Sequence, residues 1–294
     1  MVSSQLRILS LGAGVQSTTL ALLSTDGTLP PLDAAIFADT GWEPPQVYAQ
    51  LGRISAHLAT FGVPVHVVTN GNLRDRTLDP NSRFASIPYY TLPPSGKGPG
   101  GMGRRQCTKE YKLYPIQRRV RQLLGAAAPK YRTVPKGNHA DQLIGFSTDE
   151  LGRVRSGGRA EVRYMTRVFP LLDLGMSRTD CIAYLDRTGW SGWVKSACIG
   201  CPFHGNAQWR DLRDHHPEQW ADAVAFDEAI RHGGASAQPL DGTAYLHRSR
   251  VPLSIAPIDR ITRNERDPGQ LDLFEGGDPD GCSPYACRSG AAVT

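Results

Sequence analysis

Short apolar runs separated by turn signals dominate the first third of the chain. Ile8 to Leu11 suits a buried parallel strand, which is covered on both faces and so reads as nearly continuous apolar sequence. Gly12 and Gly14 follow at once and permit a tight turn with close backbone approach. Ser17, Thr18 and Thr19 then open a second apolar stretch, Leu20 to Leu23, that reads as the first turns of a helix. Asp33 to Ala38, with Ile36 and Phe37, repeats the strand pattern, and a helix is expected from about Pro45 to Phe61. In Val63 to Val68, valines at 63, 65 and 67 alternate with Pro64 and His66, the period of a third strand. This βαβαβ beginning predicts an α/β fold built on a doubly wound, mostly parallel sheet.

From Thr69 to Gly103 the periodicity dissolves into Pro80, Pro88, Pro93, Pro94, Pro99 and a glycine-rich run. Loops of this length are commonly functional, so a lid is expected, with Tyr89 and Tyr90 as simple packing residues. An amphipathic basic helix ending at Leu124 comes next, and Leu143 to Ser147 reads as a further strand. Ser177, with Asp180 three residues on, is the expected cap of a helix over Arg178 to Thr188, inside which Cys181 reads as a small buried apolar residue. Trp209 to His232 is helical in pattern. These runs divide the chain into an α/β unit over 1–175, a helical cysteine-bearing region over 176–235 and an extension over 236–294. The last part turns acidic and glycine-rich after Pro257, with Leu271-Asp272-Leu273-Phe274 as a short docking segment in a flexible tail.

With 294 residues and 40% apolar content the chain can bury a substantial core. No run approaches the roughly 18 apolar residues of a membrane span. Met1 to Leu6 lacks the basic and apolar regions of a secretory leader, so a cytoplasmic, reducing setting without a membrane is expected. The net charge of +5 is unevenly spread. Arg104 to Arg121 carries seven basic residues against Glu110, and Leu151 to Arg167 carries five arginines against Glu161. Blocks of this kind suit phosphates of a nucleotide or nucleic acid, or else a solvated face. His247, Arg248 and Arg250 form a smaller third block. Six cysteines in such a setting argue against a disulfide scaffold.

The strand, glycine turn and hydroxyl-rich helix start form an anion site, because unpaired N–H groups and the positive end of the helix dipole meet there. The spacing is neither the dinucleotide nor the Walker pattern. Asp39 and Glu43 follow the second strand, where functional residues of open parallel sheets gather. Arg153 and Arg155, after the fourth expected strand, suit bidentate phosphate contacts. The strongest chemical signal is Cys198-Ile199-Gly200-Cys201-Pro202, two cysteines that can bind one metal centre, with proline after the second as in iron–sulfur loops. A thioredoxin-type redox pair and a zinc site that adds His204 remain alternatives.

Ser10, Gly12, Gly14, Ser17 and Thr18 resemble the PP-loop of the adenine nucleotide alpha-hydrolase superfamily, with Gln16 where that family usually has aspartate. Asp39-Thr40-Gly41 resembles the segment that faces the nucleotide in phosphoadenosine phosphosulfate (PAPS) reductases. Arg105 to Pro115 resembles their segment in which a cysteine precedes a lysine and a proline, although one cysteine, Cys107, stands where the iron–sulfur reductases have two. Over most of its length the chain looks like the bacterial and phage PAPS reductase-like proteins.

That resemblance implies a [4Fe–4S] cluster on Cys107, Cys198 and Cys201, with the fourth iron open or held by Cys282 or Cys287 of the tail. It implies ATP or another adenine nucleotide, with or without magnesium, at Ser10, Gly12, Gly14, Ser17, Thr18, Asp39, Gly145 and Arg153. The expected activity is sulfur transfer to an adenylated acceptor such as tRNA or DNA, with Asp39 in the reacting environment and a cysteine desulfurase as partner. The alternatives are a sulfonucleotide reductase, using Cys282 or Cys287 as nucleophile and thioredoxin as reductant, and a non-catalytic cluster-bearing nucleic-acid binder. A homodimer is compatible with each.

Overall fold

A computed structural model describes residues 5–82, 87–98, 100–103, 105–151, 162–193, 195–233, 242–262 and 265. The chain enters through β1 (Gln5–Leu11), α1 (Val15–Leu23), β2 (Ala34–Asp39), α2 (Pro45–Thr60) and β3 (Val65–Thr69), the order read from the apolar runs. There follow α3 (Leu73–Leu78), β4 (Tyr90–Leu92), β5 (Gly101–Met102), a π-helical turn over Thr108–Leu113, α4 (Tyr114–Leu123), β6 (His139–Leu143) and β7 (Met165–Val168). Five strands form a parallel sheet in the order β3-β2-β1-β6-β7. The fold is therefore α/β, with helices on both faces of an all-parallel sheet.

Alternation along the central strands assigns those faces. Leu9, Leu11, Ala35 and Phe37 point into a core with α1, α2 and the helix Arg178–Arg187, whose Cys181 and Leu185 are fully buried there. Ile8, Ile36 and Ala38 point the other way, onto Ile116 and Val120 of α4. The core of the sheet thus continues past residue 175 into Arg178–Arg187. Ser177 and Asp180 form the expected capping box, and burial pushes the Cys181 thiol up to about 12.

Three expectations need correction. The strand expected at Leu143 to Ser147 lies one segment earlier, over His139–Leu143, because the strand carries polar His139, Asp141 and Gln142 that break the apolar pattern. The single helix expected over Trp209 to His232 is two, Asn206–His215 and Pro217–Ala229, broken where Pro217 starts a new first turn. The region expected as a lid instead contributes β4, which pairs with β5 and with β8 (Thr243–Tyr245) in a small antiparallel sheet. Tyr89 is buried beside it, as expected of a packing residue.

A second core gathers Trp42, Tyr89, Tyr111, Cys198, Ile199, Trp209 and Phe226, with Cys107 and Cys201 packed at its margin. Among the described residues no helix is long and apolar enough to cross a membrane.

Candidate functional site

β1 lies between β2, reached through α1, and β6, reached much later, so the chain reverses direction across the sheet at the carboxyl end of β1. In open parallel sheets that switch point is where ligands bind. The turn there, Gly12-Ala13-Gly14, leads into α1, whose N-cap Gly14 makes no side-chain cap bond and whose first turn carries no acidic residue. Its first N–H groups are therefore not neutralised from within the helix. The left-handed position of the turn is Ala13 (φ 56°), not a glycine. Gly12 and Gly14 keep open the space beside them: a Cβ at Gly14 would touch the Ser196 Cβ at 3.5 Å.

The hydroxyls in the turn face inward. Ser17 Oγ accepts from the Gly12 N–H (3.1 Å) and donates to the Gly14 carbonyl, which also accepts from Thr18 Oγ1 at 2.7 Å. Ser10 Oγ accepts from Gln142 Nε2 of β6 at 2.9 Å. Ser10, Ser17 and Thr18 thus shape the cradle, and its anion donors are backbone groups. Gly145 backs it from below, since a Cβ there would lie 3.0 Å from the Ser17 N and the Gln16 Cβ. Gln16 Nε2 donates to the buried Glu150 carboxylate at 3.3 Å, so an acid does stand beside the turn, supplied from beyond β6.

The turn after β2 forms the next wall. Asp39 Oδ1 accepts from the Gly41 N–H at 2.7 Å and from the Tyr48 hydroxyl at 2.8 Å. Burial, and then this bond to a carboxylate, pushes the Tyr48 phenol above its usual range. Gly41 is left-handed (φ 69°) and pressed on Asn72, two reasons for glycine at that position. Thr40 and Glu43 point inward. Glu43 Oε1 accepts from Thr40 Oγ1 at 3.1 Å, pairs with Lys112 Nζ at 3.4 Å, and lies 3.7 Å from Cys198 Sγ. The Glu43 and Lys112 side chains are only 1% and 8% exposed.

The segment Ser196 to Phe203 ties these walls together. Ser196 abuts Gly12 and Gly14. Cys198 Sγ lies 3.2 Å from Thr40 Oγ1, and the Ile199 N–H donates to the Trp42 carbonyl at 2.9 Å. Gly200 lies so close to the Trp42 indole that a Cβ would stand 2.1 Å from the ring. Phe203 carries the Arg105 guanidinium over its ring at 4.6 Å, which brings the stretch around Cys107 to the stretch around Cys201. Cys107 and Cys201 act electrostatically on adjacent tyrosines, Tyr89 and Tyr90. The glycine turn, Asp39 turn, Cys107 segment and Cys198/Cys201 pair, remote in sequence, therefore share one region.

His204 has a different use from the one its spacing suggested. Its Nε2–H points at the carbonyls of Cys198 (3.0 Å) and Ile199 (3.2 Å), and its ring meets the Trp209 edge. Burial, then the charge of Lys195, holds it down to about 4, so it is neutral and staples the cysteine turn. Among the described residues no three His, Cys, Asp or Glu side chains stand close enough to hold a metal ion. The donors' chemistry bears on the larger cluster instead, which spreads its ligands wider than one zinc ion does. Three thiols border one apolar core, with a buried ammonium beside them, and Glu43 Oε2 is buried with no hydrogen-bond partner. An orphaned buried charge of that kind costs about 1–3 kcal/mol or more, and an incoming metal group would relieve it.

Arg153, Cys282 and Cys287 lie outside the described residues, as do Arg155 and the Leu271 to Phe274 segment. Residues that sequence reasoning passed over are Thr40, Ser196 and Glu150 as contacts, and Lys112 as the partner of Glu43. None carries a local signal, because each acts through a partner distant in the chain.

Fold and site define a class: an open parallel α/β protein with an anion cradle at its switch point and a cysteine turn against it. No family model matches this chain, and no curated protein does so. Its function is argued from the site itself.

Proposed function

We propose that this protein is an iron–sulfur enzyme of the PP-loop, PAPS reductase-like type, which binds ATP and transfers sulfur to an adenylated acceptor. One observation carries the reading: the Ser196–Phe203 segment touches the Gly12/Gly14 turn at one end and the Arg105–Cys107 stretch at the other. A nucleotide phosphate at the N-terminus of α1 would then lie next to the sulfur ligands.

Backbone N–H groups of the Gly14–Ser17 turn hold the phosphates, and Asp39 orders the wall beside them through Gly41 and Tyr48. An acceptor carbonyl or phosphate oxygen attacks the α-phosphorus, and pyrophosphate leaves. Adenylate is then the leaving group when sulfur adds. Cys107, Cys198 and Cys201 would hold the cluster, which when bound supplies the sulfide for that displacement. Thr40 orients Cys198, and Lys112 offsets the negative charge that thiolates and Glu43 bring into one core. The basic stretch around α4 suits a nucleic-acid acceptor.

The test is anaerobic reconstitution with ferrous iron and sulfide, followed by iron and sulfide analysis and an assay of ATP-dependent pyrophosphate release. Brown, cluster-loaded protein that loses its chromophore in Cys198→Ala is the expected result. Full cluster content in Cys198→Ala would sink the ligand set. A labelled sulfonucleotide trapped as a thiosulfonate on Cys282 or Cys287, without pyrophosphate release, would replace sulfur transfer by reduction.

A further inference from the structure

Glu43 carries the one carboxylate oxygen among the described residues that is buried without a hydrogen-bond partner. All its donors gather on the other oxygen: Thr40 Oγ1 at 3.1 Å, Lys112 Nζ at 3.4 Å and Cys198 Sγ at 3.7 Å. A carboxylate whose only task was to neutralise Lys112 would share its donors between both oxygens and sit closer. Direct ammonium–carboxylate bonds are about 2.7–2.9 Å. The Thr40 contact fixes one edge of the carboxylate and leaves Oε2 with its lone pairs unused, beside a cysteine.

We propose that Glu43 is the non-cysteine ligand of the iron–sulfur centre, its Oε2 binding the iron that Cys107, Cys198 and Cys201 leave without a thiolate. The inference rests on the cluster reading above and adds the fourth donor. The adjacent thiol selects a thiophilic metal rather than magnesium, and an oxygen donor suits the one iron that has to stay exchangeable. Lys112, buried on the same carboxylate, balances the charge of three thiolates and a carboxylate in an apolar core. No tail cysteine is then required for the cluster, so Cys282 and Cys287 remain available for other work.

The experiment uses the full chain, reconstituted anaerobically with ferrous iron and sulfide, and reads iron and sulfide per chain together with the electron paramagnetic resonance spectrum. Wild type is expected to hold four irons. Glu43→Gln, which keeps the Oε1 acceptor but loses the anionic donor, is expected to hold three and to show a three-iron signal. Glu43→Cys is expected to return to four. Should Glu43→Gln fold poorly, Glu43→Leu paired with Lys112→Leu removes both charges at once and is expected to stop at three irons as well. Four irons and a wild-type spectrum in either variant overturn the assignment of Glu43 while leaving the cluster reading in place. A wild-type protein that takes up no iron and sulfide overturns both.

Discussion

Gly200→Ala tests the contact on which the site's assembly depends. A Cβ at this position would lie 2.1, 2.7 and 2.9 Å from three atoms of the Trp42 ring. The ring cannot swing away without loss: its Nε1–H donates to Asp222 at 2.6 Å, Asp222 is held by Arg74 at 2.7 Å, and Phe226 packs against it with centroids 4.4 Å apart. If the ring moves, it forfeits a hydrogen bond to a charged group, worth about 1.5–3 kcal/mol. If the cysteine turn moves instead, it forfeits the Ile199 N–H to Trp42 carbonyl bond and the Thr40–Cys198 contact. Overpacking by one methyl typically costs about 1–3 kcal/mol, so a total loss of about 2–4 kcal/mol is expected. Urea unfolding followed by circular dichroism and tryptophan fluorescence measures it. Trp42→Phe removes the clashing atoms, so the double variant should be less destabilised than the sum of the two single variants, by about 1 kcal/mol or more. A Gly200→Ala protein within about 0.5 kcal/mol of wild type, or a strictly additive pair, would refute the reasoning.

Two further outcomes follow from buried charges. Lys112→Met leaves Glu43 uncompensated in the core and should cost about 3–5 kcal/mol by urea titration, whereas Glu43→Leu with Lys112→Leu should come within about 1 kcal/mol of wild type; equal losses in both would show that the pair does not interact. His247 is buried and neutral, donating from Nε2 to Asn206 Oδ1 at 3.1 Å and accepting the Ser249 N–H on Nδ1 at 3.1 Å. Burial first, and Arg248 second, hold it down to about 4, against about 6.5 when unfolded. Between these values the unfolded chain binds a proton that the native protein does not, so its contribution is complete above about pH 6.5 and is lost as pH falls toward 4. The full window is worth about 3 kcal/mol. Urea midpoints measured from pH 7 to 4.5 should fall, and should fall less in His247→Gln; parallel slopes would exclude His247 as the source.

Much of the fold is legible locally. The runs at Ile8–Leu11, Asp33–Ala38 and Val63–Val68 became β1, β2 and β3 within two residues. Ser177 and Asp180 capped their helix, and Cys181 was buried. Each depends on periodicity or a cap a few residues long, which one stretch of chain carries by itself. β6 was misplaced because its polar residues answer to neighbours elsewhere: Gln142 to Ser10, and His139 to Thr166. β4 was read as lid because its partner, β8, lies some 150 positions downstream.

The candidate site divides the same way. Its chemical groups, the glycine turn, Asp39, Glu43 and the paired cysteines, are visible as residue types at particular spacings. Their relations are not. That Gly200 is small for Trp42, Gly145 small for the first turn of α1, and Glu43 charged for Lys112 became apparent only once the chain had closed on itself. Excluded volume and Coulomb attraction act through space and fall off over a few ångströms. Residues more than 60 positions apart thus set one another's identity only after tertiary packing brings them into contact.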